Sequence, residues 1–525
     1  MNGPSNQAIK RLISLHGWSG TVLSIFLYAV VLTGTVSVLR DEIARWSDAE
    51  RHIVHPFGQP IYATVRRLSD QVPEAFRAQV RVEHARDGSL RVFFYEKRKI
   101  PGRGTQDFGR DYLLDPETHS ILAARQGVAP HQRVESRAHE LSHFIVDLHA
   151  RLLIPGRLGL YATGVLGVFL LVAVITGILI HRHILRDLFV TERPGGRVVS
   201  LRDRHGLASV WSLPFSILLA FTGTFLSFAT SLGLPIVAMS AFGGDIDRAF
   251  AAVTTPAKVE NAAPADLADL DQVMADALRI SGTYPRLLTI EDAGRRDARI
   301  VTLHRNGGNG AVRSHTLEFD GATGAFLRDR PLVGHEPSVG SATVALMSPL
   351  HFGDFSGLAS RAVWLALGTV MTISVVSGMQ LWLKRREDDP VWRSCRMMFA
   401  AVVWGLPVML SGAAYGFFLS ILGHDVHRGT LAGFLVSGFV VLVLSLRAAT
   451  PVELSRVLRR MFAWSVLMLP VLRLQTGGVS WGEAILNNIW QVLLIDALCL
   501  ALAVILLVQQ RVQDRAAQNA LNLAE

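Results

Sequence analysis

Histidine stands twice in this chain at one fixed distance from a Thr-Gly pair. His16-Gly17 precedes Thr33-Gly34 by 17 residues, and His205-Gly206 precedes Thr222-Gly223 by the same 17. A neutral imidazole is a nitrogen donor for metals. Two of them on facing helices can fill both axial positions of a haem iron, a six-coordinate centre suited to electron transfer. A second pair repeats the theme. His149 is followed 28 residues later by Gly177 of Thr176-Gly177, and His351 27 residues later by Gly378 of Ser377-Gly378. Arg157 and Arg361 come between, on the approach to the next apolar block.

A lone histidine at a helix end is ordinarily an interfacial polar residue. Four in a duplicated pattern favour a ligand set, because ionisable groups in membrane segments are costly. By membrane depth, His16 and His205 form an inner set and His149 and His351 an outer set, with pairing expected within each. His181, four residues beyond Gly177, is a rival inner ligand. Gly17, Gly20, Gly34, Gly206 and Gly223 would let a flat macrocycle approach the backbone. His139 and His143, spaced i, i+4, and His424 and His427 beside Asp425 are either solvated polar surface or accessory metal contacts. Trp18, Trp46, Trp211, Trp364 and Trp382 fall near membrane edges, where indoles anchor.

The elements that must position these residues are apolar helices. Of the 525 residues 50% are hydrophobic and the mean hydropathy is +0.33, which marks an α-helical polytopic membrane protein. About eight transmembrane helices are expected, at 18–39, 158–180, 207–232, 361–383, 398–421, 429–447, 458–474 and 488–508. The seventh is the weakest, crowded by Arg459, Arg460, Pro470 and Arg473. Seventeen helical steps rise roughly 26 Å, so each Thr-Gly pair should lie most of a hydrocarbon core away from its histidine.

Lys and Arg cluster on one side, before helix 1, in loop 181–206, around 384–396 and 447–460, and in the tail. That makes this face, with both termini, cytoplasmic. The net charge of +9 is mostly this bias and does not argue for nucleic acid; anionic membrane lipid is the partner it suits. Cys395 and Cys499 lie away from the external segments, so no disulfide or Cys-based metal site is expected.

Two polar segments interrupt the membrane pattern. The expected organisation is helix 1 at 1–40, a first external α+β module at 41–150, and helices 2–3 with a basic loop at 151–232. A second module follows at 233–355, then helix 4 at 356–388 and an additional four-helix bundle at 389–525. Hairpins are predicted at Asp115-Pro116 and Asp320-Gly321, and a helix over 264–281. Asn306–Gly310 reads as another hairpin turn. No Walker loop, dinucleotide fingerprint, His-Glu-x-x-His or Gly-x-Ser-x-Gly is present, so electrons would come from a separate donor or from membrane quinol.

Leu15-His-Gly-Trp-Ser-Gly20, Leu148-His-Ala-Arg-Leu-Leu153, Gly177-Ile-Leu-Ile-His-Arg182, Asp203-Arg-His-Gly206 and Leu350-His-Phe-Gly353 together resemble the PepSY-associated transmembrane family. Its iron-regulated inner-membrane members include siderophore-iron reductases of the FoxB type. The resemblance spans about residues 8–388 and makes the two hairpin segments PepSY-like periplasmic modules. It implies a bacterial inner-membrane protein with haem b, two by the histidine count, that passes electrons to ferric siderophore in the periplasm. His16, His149, His205 and His351 are then the axial ligands, with His181 in reserve. Gly17 and Gly206 stand where the family usually has Arg, so Arg11 and Arg204 become the candidates for a propionate contact. Two other classes compete: a siderophore or iron permease with histidines lining a path, and a PepSY-type binding or regulatory protein.

Overall fold

The computed structural model describes residues 6–47, 57, 59–84, 89–100, 104–128, 140–181, 189, 197–254, 260–304, 315–331, 333–423 and 425–522. The chain divides into two compact units. Met1–Glu50, Arg137–Ser227 and Val363–Glu525 make one; Arg51–Ser136 and Phe228–Ala362 make the other.

Helices α1 (Asn6–Val22) and α2 (Ser24–Ser37) meet at a 65° bend, and α3 (Arg40–Ser47) follows. The sequence predicts one straight span here. Leu23, at φ −110° and ψ 12°, leaves the helical region instead. Gly20 and Ser24 bracket the break, and Gly/Ser pairs are a known cause of kinks. The second histidine motif breaks at the same place: α8 (Arg197–Trp211) gives way at Ser212, seven residues past His205, as α1 does at Leu23, seven past His16. The elements between are α4 (Tyr62–Ser69), α5 (Glu74–Arg77), β1 (Gln79–His84), β2 (Leu90–Ile100), β3 (Gly104–Leu114), β4 (Ile121–Val128), α6 (Glu140–Arg151) and α7 (Arg157–Ile180).

Beyond α8 come α9 (Leu213–Phe228), a π-helical turn Ala229–Gly233, α10 (Leu234–Ala241), α11 (Ile246–Thr254) and α12 (Leu270–Ser281). Strands β5 (Leu287–Glu291), β6 (Arg299–His304), β7 (His315–Asp320) and β8 (Phe326–Asp329) precede α13 (Val339–Phe352) and α14 (Gly357–Lys384). The rest is helical: α15 (Pro390–Ile421), α16 (Val426–Arg447), α17 (Pro451–Gln475), α18 (Trp481–Leu486) and α19 (Trp490–Asn522).

Six helical stretches among the described residues are long and apolar enough to cross a bilayer: Arg157–Ile180, Leu213–Ala241, Gly357–Lys384, Pro390–Ile421, Val426–Arg447 and Trp490–Ala516. The bent α1–α2 pair makes seven if taken as one span. The protein is therefore a multi-pass membrane protein. The span expected at 458–474 lies in α17, which is not among these six. Arg456, Arg459, Arg460 and Arg473 dilute its apolarity.

In the second unit the two polar segments do not form separate sheets. Their strands join in one eight-stranded antiparallel sheet, ordered β4-β3-β2-β1-β5-β6-β7-β8. The seam is β1 against β5, with Val80 opposite Ile290 and Val82 opposite Leu288. An unpaired central edge on either half would be a pairing hazard, and the seam removes both. One face packs Val82, Phe94, Leu288 and Phe319 against Leu68 of α4 and Val273 of α12. Both predicted hairpins turn the same way. Asp115 Oδ1 accepts from the N–H groups of Glu117 and Thr118, and Asp320 Oδ1 from those of Ala322 and Thr323. His119 (φ 52°) and Gly324 (φ 75°) take the left-handed position that closes each turn. α12 starts at Asp269, whose carboxylate caps the N–H of Asp271. Asn306–Gly310 lies outside the described residues.

Candidate functional site

Three histidines of the first unit are held by one repeated device. His16 on α1 donates from Nδ1 to the Ala173 carbonyl of α7 at 2.9 Å. His205 on α8 donates to the Ser374 carbonyl of α14 at 2.9 Å, and His149 on α6 to the Val30 carbonyl of α2 at 2.9 Å. A carbonyl cannot donate, so Nδ1 carries the proton in each case and Nε2 carries the lone pair, the tautomer that can ligate a metal.

Each accepting carbonyl lies four residues before a glycine: Ala173 before Gly177, Ser374 before Gly378, Val30 before Gly34. A Cβ on Gly34 would come within 2.7 Å of His149 Cε1, one on Gly378 within 2.9 Å of His205 Cε1, and one on Gly177 within 3.4 Å of His16 Cε1. At Gly34 and Gly378 the missing side chain is what lets the imidazole reach a carbonyl already bonded within its helix, whereas at Gly177 a Cβ would be in ordinary contact with the ring. The residue before each glycine turns its hydroxyl back into the helix: Thr176 to Val172, Ser377 to Ile373 and Thr33 to Ala29, at 2.6–2.7 Å. Thr222, before Gly223, repeats this by bonding Leu218 at 2.7 Å. The hydroxyl is thereby satisfied locally and takes no place in a ligand shell.

Thr33-Gly34, Thr176-Gly177 and Ser377-Gly378 are thus seats for histidines arriving from other helices, and Thr33-Gly34 does not mark the far end of the span that carries His16. That corrects the geometry expected from the 17-residue spacing, because the bend at Leu23 separates His16 from Thr33-Gly34. It also reassigns the glycines. Gly34 accommodates His149, while Gly17 accommodates Trp382, whose ring would be 2.3 Å from an added Cβ. Gly20 and Gly206 have nothing within 4 Å of an added Cβ, so both border open space.

The structure brings His16 and His205 together, with ring centres 6.1 Å apart and planes inclined by 55°. Burial pushes His205 down to about 4, against the opposing effect of its bond to Ser374, and nearby His16 lowers it further. His149 is lowered by burial in the same way. Both imidazoles are therefore neutral at physiological pH, the state in which imidazole binds metal.

The other candidates lie elsewhere. His351 belongs to the second unit, next to the C-terminal residue of α13, and its ring lies 5.4 Å from that of Phe352. As His149 ends α6 shortly before α7, His351 ends α13 shortly before α14. His181 caps α7, its backbone N–H on the Gly177 carbonyl at 3.0 Å. Arg11 and Arg204 are exposed. His139 and His424 lie outside the described residues. His427 reaches the carboxylate of Glu140 at 2.7 Å. Among the described residues no three His, Cys, Asp or Glu side chains converge as a metal-holding group, so the His16–His205 pair is a two-nitrogen arrangement. Sequence reasoning did not see the carbonyl and glycine of each seat, although the four-fold Thr/Ser-Gly repeat was the available signal. It also missed the buried Arg473–Asp496 pair at 2.9 Å.

Residues 13–385 match the family model of the PepSY-associated TM region. The chain belongs to that family. The match takes in all four motif histidines and all four Thr/Ser-Gly pairs, and it stops before α15. The chain is also similar to an uncharacterized protein of Pseudomonas aeruginosa, 30% identical over 258 residues, 47% of this chain and 64% of that protein. The chain thus spans just under two thirds of that relative's length.

Proposed function

We propose that this PepSY-associated membrane protein binds haem b between His16 and His205 and passes electrons across the bacterial inner membrane to ferric siderophore iron. The observation that carries this reading is the 6.1 Å separation of two imidazoles, each with Nδ1 tied to a helix carbonyl. Two neutral imidazoles at that separation, each with its proton on Nδ1, would hold a haem iron between them through Nε2. The open space beside Gly20 and Gly206 suits a flat macrocycle. Bound haem supplies reversible one-electron exchange at its iron.

The chain's own contribution is orientation and exclusion of water. Backbone carbonyls fix ring rotation and tautomer, and the glycine seats fix depth. The duplicated sequence pattern extends the proposal to His149 and to His351 as further haem ligands, each argued by itself, with His181 in reserve. Reduction of iron(III) to iron(II) weakens oxygen-ligand binding and frees the metal from its chelator. The donor is membrane quinol or a cytoplasmic reductase. The arginine bias places both termini in the cytoplasm, and the proposed periplasmic part consists of PepSY-like modules.

The test is the reduced-minus-oxidised spectrum of protein purified after expression with ample haem. A sharp b-type α-band is expected, with one component removed by His16→Ala and by His205→Ala alike. Dithionite-reduced protein should reoxidise on mixing with a ferric hydroxamate or catecholate chelate. Colourless wild-type protein would overturn the haem assignment, and inertness to every ferric chelate would overturn the substrate.

A further inference from the structure

The C-terminal helices α15–α19 lie beyond the region that matches the family model; α15 packs on α1 and α14 through Trp392 and Phe399, but the bundle's side-chain hydrogen bonds fall on α2, α3 and α6, around the His149 seat. The seat consists of α2, which supplies Val30 and Gly34, and α6, which carries the histidine. Tyr28, two residues from Val30, donates its hydroxyl to the Val403 carbonyl of α15 at 2.6 Å. α6 buries Leu141, Phe144, Ile145 and Leu148 in a core shared with α15–α17 and α19, and Phe144 meets Phe434 of α16 edge-on at 5.2 Å. At the start of α6, Glu140 is 4% exposed and pairs with His427 of α16 at 2.7 Å.

A third tie holds α3, which continues from α2 and packs on α6. Trp46 donates its indole N–H to Asp496 Oδ1 of α19 at 2.6 Å. Asp496 is fully buried and also accepts from Arg473 Nη2 of α17 and from Trp481 of α18, each at 2.9 Å. Arg473 Nη1 donates to the Val479 carbonyl at 2.7 Å. A buried ion pair is weak evidence of stability, and its best-attested use is to fix one arrangement of helices against another. Here the carboxylate gathers α3, α17, α18 and α19 onto one point.

We infer that the appended bundle positions the His149 seat, with Tyr28, Trp46, Glu140, His427 and the Arg473–Asp496 pair as positioning residues. This rests on the reading that His149 is a haem ligand. The bundle acts as a fixed wall behind α2, α3 and α6, so that the Val30 carbonyl, Gly34 and the imidazole keep one relative geometry. Tyr28→Phe removes one hydrogen bond while keeping its ring, and Trp46→Phe removes another while keeping an aromatic ring, of smaller size, beside Phe418.

The experiment compares wild type, each single variant and the double variant, all as full-length protein. Redox titration follows the haem component lost in His149→Ala separately from the one lost in His205→Ala. The expected result is full haem content, a shifted midpoint for the first component in the double variant, and no shift for the second. Hydrogen exchange of the α6 peptide should rise about five- to tenfold in the double variant, with α8 unchanged. If wild type holds no haem, the proposed function fails and exchange alone decides this inference. Unchanged exchange of α6 in the double variant overturns it, as do equal midpoint shifts of both components.

Discussion

Two histidines in different parts of the molecule share one kind of contact at Nδ1 and differ at Nε2. His205, in the membrane unit, and His304, at the end of β6 in the sheet unit, are both pushed by burial to about 4, and both are held at Nδ1 by a backbone carbonyl at 2.9 Å. They part at the other nitrogen. His304 Nε2 accepts from the Thr302 hydroxyl at 2.9 Å, which completes its bonding within the sheet. His205 has a second imidazole, that of His16, 6.1 Å away. A depressed pKa marks burial in both cases and distinguishes neither. The bonding of the second nitrogen separates a structural histidine from a ligand candidate.

The sharpest way to break this contrast is to remove each ring. His205→Ala should abolish the haem component shared with His16 in the difference spectrum while leaving the sheet unit folded. His304→Ala should leave every haem component intact and lower the thermal midpoint, since losing the acceptor of the buried Thr302 hydroxyl costs about 1–3 kcal/mol. Spectral loss in His304→Ala would erase the distinction. A smaller effect tests the seats. An added methyl at Gly34 or Gly378 would clash with the ring, at about 1–3 kcal/mol of overpacking, whereas Gly177, with 3.4 Å to spare, should tolerate alanine best. Haem content should therefore fall in Gly34→Ala and Gly378→Ala and change least in Gly177→Ala.

The smallest effect is a pH dependence. The folded value of His304 lies below that of the unfolded chain, so the unfolded state binds the extra proton and stability rises with pH. Its contribution is complete above the unfolded value of about 6.5 and is lost as pH falls toward 4. The gap in thermal midpoint between wild type and His304→Ala should narrow on acidification over that range. A gap that widens would put the proton on the folded ring.

Much of the architecture can be read in the letters, and the limits are physical. Long apolar blocks set the helices fit to cross a bilayer, six among the described residues, apart from the polar segments, and Asp115 and Asp320 announce their turns, because apolarity and turn chemistry are local. The break at Leu23 is carried only by the small neighbours Gly20 and Ser24. Glycine has one letter whether it lies under an imidazole (Gly34), under an indole (Gly17) or beside open space (Gly206). The joining of two meanders at β1 and β5 depends on pairing between distant segments, which periodicity within either does not encode. Arg473 read only as a charge crowding the seventh apolar block, because its partner Asp496, 2.9 Å away, lies on a different helix.

The seam between β1 and β5 also sets an order of events during synthesis. Val80 leaves the ribosome 210 residues ahead of Ile290, its partner across the seam. At translation rates of about 5–20 residues per second, the first meander waits roughly 10–40 s with its inner edge bare. Throughout that interval the strand can zip onto any passing extended chain, so the newborn first half is the stage at which this protein most needs a chaperone.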